Sequence, residues 1–161
     1  MNMMTHVASV VLWGFVATIV MTTVMLGAQG LGMSRLSLPF LFGTAVTGRL
    51  ELAYVLGYVL YALGGWSFAF LYDAIFISLG HQSWWFGALI GVGHGTFLLA
   101  ALMHLPVVHP RMISEYDRPR AGRAIEPPGF FGLHYGRQTP VSTLLGHALY
   151  GAILGAALPA V

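Results

Sequence analysis

Residues 52–79, LAYVLGYVLYALGGWSFAFLYDAIFISL, pass through Gly80-His81-Gln82 into residues 83–108, SWWFGALIGVGHGTFLLAALMHLPVV, and this stretch decides how the chain is built. Each half exceeds the ~20 apolar residues a helix needs to cross a ~30 Å hydrocarbon core. Neither alternates with period two, which argues against a membrane β-barrel. Asp73 is the one charged side chain in the two runs. The short turn between them predicts an antiparallel hairpin. Working outward, residues 6–29 and 141–161 form two further apolar runs that can each span a membrane. The first lacks a basic leader and is long for the core of a signal peptide, so it reads as a permanent helix. The expectation is an all-α polytopic membrane protein. It has four transmembrane helices in a single transmembrane domain over residues 1–161, with loops at about 30–51 and 109–139.

Composition agrees. Of 161 residues 57% are hydrophobic and 7% charged, whereas a soluble domain carries about 25% charged residues because its surface faces water. Lipid must therefore cover much of this chain. The formal net charge is +2, with every basic residue an Arg, and these lie in the connections. Arg35 and Arg49 fall in the first loop; Arg111, Arg118, Arg120, Arg123 and Arg137 fall in the third. Four crossings put both loops on one side, which the positive-inside rule makes the cytoplasm. That implies the cell inner (plasma) membrane with both termini outside, a lipid bilayer as the surrounding partner, and no nucleic acid. Pro119, Gly122, Pro127, Pro128 and Gly129 give the third loop dense turn chemistry. Its aromatic stretch, residues 129–135, suits the membrane interface. The absence of Cys excludes disulfides, thiolate metal sites and iron–sulfur clusters.

An internal pattern points to tandem duplication of a two-helix hairpin. Leu56-Gly57-Tyr58-Val59-Leu60-Tyr61 matches Leu145-Gly146-His147-Ala148-Leu149-Tyr150. Upstream, Pro39-Phe40-Leu41-Phe42-Gly43 with Gly48-Arg49 matches Pro128-Gly129-Phe130-Phe131-Gly132 with Gly136-Arg137. Copies in one orientation imply a pseudo-two-fold axis along the membrane normal. Small-residue stripes suit close helix contact in lipid. They are Gly87, Gly91 and Gly95 on the third run, His147, Gly151 and Gly155 on the fourth, Ala53, Gly57 and Gly65 on the second, and Gly14, Thr18 and Thr22 on the first.

Four groups of residues can carry chemistry. His94 lies ~16 Å below the outer end of the third helix and His147 ~10 Å above the inner start of the fourth, which puts both near mid-membrane. Ionisable groups at that depth are candidate sites by default. Paired imidazoles there are a candidate axial ligand set for haem or another tetrapyrrole. The plainer reading is two neutral rings hydrogen-bonded to Thr18, Thr22, Tyr58 or each other, and a proton relay is a third. Asp73 is the polar membrane site, read either as an ion- or substrate-coupling carboxylate or as an interfacial acid at the outer headgroups, near His81 or capping the turn. His104, His109 and His134 with Met112 offer copper or zinc ligands, or else ordinary loop histidines. Met21 and Met25, one turn apart, suit either a copper(I) path or packing. No phosphate-cradling Gly loop with Lys, nucleophile triad or paired membrane acid is present, so hydrolysis and phosphoryl transfer find no support.

The run Gly14-Phe15-Val16-Ala17-Thr18, Met21-Thr22 and Gly27-Ala28 to Gly32 resembles the opening of small bacterial four-helix inner-membrane proteins of unknown function. Pro128-Gly129-Phe130-Phe131-Gly132 and Gly146-His147 to Tyr150-Gly151 are similar to them as well. The resemblance covers most of the chain and carries no activity with it. The expected function is an integral subunit or assembly partner in a larger membrane complex, joined to other membrane protein subunits and without catalysis of its own. The alternatives are a tetrapyrrole-binding electron-transfer subunit using His94 and His147, and a small transporter.

Overall fold

The computed structural model describes residues 2–112 and 125–159. Its elements are α1 (Met3–Gly30), α2 (Leu38–Val46), α3 (Leu50–Leu79), α4 (Trp84–Leu102), α5 (Leu105–Val108), a 3-10 segment (Phe130–Tyr135) and α6 (Thr139–Ala157). Four of them, α1, α3, α4 and α6, are long and apolar enough to cross a membrane. At 28 and 30 residues, α1 and α3 reach ~42 and ~45 Å, while the 19 residues of α4 and of α6 give ~28 Å.

Local chemistry explains the boundaries. The Asn2 side chain accepts from the Thr5 N–H at 2.8 Å and starts α1. Gly80, at φ 59°, closes α3 in the left-handed conformation that glycine adopts without strain. Ser83 caps α4 by accepting from the Phe86 N–H. Two expectations need correcting. The third helix does not run to residue 108: it stops at Leu102 and resumes as the single turn α5. Pro106 explains the break, because its ring clashes with the carbonyl four residues back and it offers no N–H. The first connection is not a plain loop either, since it folds into α2. There Ser37 caps by accepting from the Phe40 N–H, and Pro39 sits in the first turn, where a missing N–H costs nothing.

Packing runs in a row, α4 against α6, α6 against α1, and α1 against α3. The α4–α6 contact is the closest. A Cβ added at Gly91 would strike the His147 carbonyl, one at Gly151 the Gly87 carbonyl, and one at Gly155 the Ser83 carbonyl. Gly14 faces Ala69 and Gly65 faces Thr18 between α1 and α3. Met21 and Met25 lie over Gly146 between α1 and α6. Gly57 and Ala53, on the stripe of the second apolar run, seat α2 through Pro39 and Gly43 rather than a membrane-crossing helix. The predicted hairpin is also modified. α3 and α4 share the tight turn but then diverge and meet through side chains, chiefly Phe68 and His94 with ring centres 3.9 Å apart. Small residues pack the other three edges closely, through backbone contact at α4–α6 and through side chains at α1–α3 and α1–α6, and the α3–α4 edge is a seam.

The two Arg-bearing connections meet at the end opposite the Gly80 turn. Arg111 donates to the Thr44 carbonyl at 2.6 Å, and its guanidinium lies against Gly48. Arg35 pairs with Glu126 at 3.1 Å, and its N–H donates to the Tyr135 carbonyl at 2.6 Å. In the 3-10 segment Phe131 takes φ 50°, a left-handed conformation unusual for a bulky side chain, between Gly129 and Gly132, which also have positive φ. Arg118, Arg120 and Arg123, with Pro119 and Gly122, lie outside the described residues.

Candidate functional site

His94 on α4 and His147 on α6 are brought together in the middle of the bundle, with ring centres 4.8 Å apart and planes at 81°. Around them sit Tyr72 and Phe68 of α3 and Tyr150 of α6, with Tyr72 and Tyr150 edge to face at 5.5 Å. The hydrogen bonds differ from those expected. His147 Nδ1 donates to the Thr143 carbonyl one turn back, at 2.8 Å. His94 Nδ1 lies 3.4 Å from the Tyr72 hydroxyl. Thr18 and Thr22, expected as partners, donate instead to carbonyls of their own helix, and Tyr58 faces outward. The Thr143 hydroxyl, next to this cluster, is buried with no partner among the described residues.

A tetrapyrrole between the two histidines does not fit. Axial imidazoles with iron–nitrogen bonds of about 2 Å place their ring centres about 6 Å apart, on opposite faces of a flat macrocycle. Here the rings touch edge to face at 4.8 Å. Gly91 and Gly95 hold the α4 backbone against His147 itself. The glycine stripes that bring the two rings to one place also remove the space a macrocycle needs.

The remaining candidates fall elsewhere. Asp73 is buried on the inner face of α3, and its Oδ2 accepts from His6 Nε2 of α1 at 2.8 Å. The expected neighbour His81 lies about 10 Å further along the helix direction, at the turn, edge-on to Phe86 and tilted against Trp85. His109, expected in solvent, is buried under α2. Its Nδ1 accepts from the Arg111 N–H at 3.2 Å, so Nε2 carries the proton and donates to the Leu41 carbonyl at 3.1 Å. His134 Nδ1 turns to the Pro127 carbonyl at 3.1 Å. No group of three or more His, Asp or Glu among the described residues is placed to hold a metal. Tyr150 was legible as a site residue, since it lies three positions after His147 on one helix face. Tyr72 and His6 were not, because only tertiary packing brings them in.

No protein family, curated protein or solved structure matches this chain.

Proposed function

We propose that this chain is an integral membrane subunit that crosses the inner (plasma) membrane four times and assembles with another membrane protein through its α3–α4 seam, without catalysis of its own. The observation that carries the reading is the seam itself. Small residues pack the other three edges closely. Along this one, Phe68, Leu71, Ile75, Ile90 and Phe97 line an open groove. Gly93 lies in that groove with no atom within 4 Å of where a Cβ would stand. Helices in lipid associate through such small-residue positions, so a helix of the partner seats against Gly93. The bilayer setting is supported by exposed Leu12, Ile19, Val59, Leu63 and Val141 around the bundle. Positive-inside bias supports the orientation, with the arginine-bearing end in the cytoplasm and both termini outside.

Native-gel electrophoresis of mildly solubilised membranes tests the assembly. The expected result is migration well above a free bundle, lost on Gly93→Leu although the purified variant melts like the parent. Migration as a free bundle, or an assembly indifferent to Gly93→Leu, contradicts the reading.

We further propose that the bundle descends from a duplicated two-helix unit. In support, each copy of the aromatic–glycine motif forms a short helical piece, α2 or the 3-10 segment, just before a long helix. The copies then diverged, Gly57 seating α2 and Gly146 facing Met21. Homologous chains should show stronger similarity between residues 38–65 and 127–154; a halving of that similarity on wider sampling would remove the support.

A further inference from the structure

Below His94, the seam opens into a cavity of about 80 Å³ lined by residues that include Met21, Tyr61, Gly64, Phe68, Leu98 and His147. One water needs only about 10–15 Å³ on the same measure, so several heavy atoms fit. His147 is 2% exposed. Its Nδ1 faces the Thr143 carbonyl, which can only accept, so Nδ1 holds the proton and Nε2 is a bare lone pair. That Nε2 has no hydrogen-bond partner among the described residues, and the His147 side chain lines the cavity.

His94 lines the same cavity. Tyr72 is 1% exposed, and among the described residues its hydroxyl meets His94 Nδ1. With the buried Tyr72 phenol as the donor to Nδ1, His94 carries its own proton on Nε2. The two rings are therefore not two lone pairs for a metal. They are one acceptor and one donor. A hydroxyl is the group that donates to the first and accepts from the second. The aromatic lining from Phe42, Tyr61 and Phe68 suits a flat ring, and the cavity reaches the outer surface of the bundle beside the half-exposed Gly64 and Leu98.

From this juxtaposition we infer that the cavity between His94 and His147 binds the hydroxyl of a lipid-soluble aromatic alcohol of the hydroquinone class. The cavity shares Phe68 and His94 with the groove at Gly93, but the inference does not require a partner there.

Binding of labelled 2-decyl-1,4-hydroquinone to the full chain in lipid nanodiscs tests it, with the dimethyl ether as the analogue that cannot donate. Saturable binding is expected, at least tenfold weaker for the ether and at least tenfold weaker in His147→Phe. Gly64→Phe supplies a variant that leaves both histidines in place and has open space to fill, with no atom within 4 Å of the new Cβ. It should fold, plug the mouth and lose binding by a similar factor. Absence of saturable binding, equal binding of the ether, or undiminished binding to Gly64→Phe overturns the proposal and leaves the cavity to water.

Discussion

The Tyr150 hydroxyl donates to the Gly65 carbonyl at 2.6 Å, tying α6 to α3 across the centre of the bundle. These two helices share little other contact, so the bond braces the diagonal that the row of packed neighbours leaves loose. Tyr150→Phe keeps the buried ring and removes only the bond. Hydrogen bonds between membrane helices average about 0.6 kcal/mol and reach about 1.7. Thermal unfolding in detergent should show a loss in the upper half of that range. An unchanged melting curve would mean that this bond does not contribute to the stability of the bundle.

Two neighbouring glycines on α4 should behave in opposite ways. A Cβ at Gly91 meets the His147 backbone, which cannot move without parting the helices, whereas Gly93 faces open space. Overpacking typically costs about 1–3 kcal/mol where side chains can adjust, and more where backbone blocks the way. Gly91→Val should therefore abolish the folded bundle, while Gly93→Val should stay within about 0.5 kcal/mol of the parent. Chemical unfolding of both variants in the same detergent checks the contrast, and equal effects would contradict the α4–α6 geometry.

His6 and Asp73 are sixty-seven residues apart in sequence and 2.8 Å apart in space. A double-mutant cycle with His6→Ala and Asp73→Ala should return a coupling of at least about 1 kcal/mol, as expected for groups in direct contact. Additive losses would place the two side chains apart.

Tyr135 gives a pH dependence at the arginine-bearing end. Burial, reinforced by Glu126 and offset in part by Arg35, pushes its pKa up to about 12. An unfolded tyrosine ionises near pH 10. Its contribution is therefore intact below about pH 10 and falls away as pH rises toward 12, because the unfolded chain loses the proton first. Unfolding midpoints taken between pH 9 and 11.5 should drop less steeply in Tyr135→Phe than in the parent. Parallel curves would show that Tyr135 does not contribute.

The four long helices were legible because a hydrocarbon core demands about twenty apolar residues and few other structures do. The common depth of His94 and His147 was legible by counting rise along each helix. The short helix α2 was hidden: LPFLFGTAV is nine residues long, and the serine just before it and the proline at its second position read equally well as a turn. Partners were hidden for a different reason. Asp73 could be placed along its helix but not around it, so its contact with His6 waited on the tertiary packing. The glycine stripes pointed to close contact, and the same closeness excluded the macrocycle that the histidine pair had suggested.

The proposed four crossings, with the arginine-bearing end inside the cell, can be tested by thiol chemistry because the chain has no cysteine of its own. Single-Cys variants at Arg49 and Arg137, one in each arginine-bearing connection, and at His81 in the opposite turn sample the two ends. In intact cells a membrane-impermeant maleimide should label His81→Cys and leave Arg49→Cys and Arg137→Cys unlabelled until the cells are opened. Labelling of either arginine position from outside, or of all three alike, would contradict the four-pass topology proposed here.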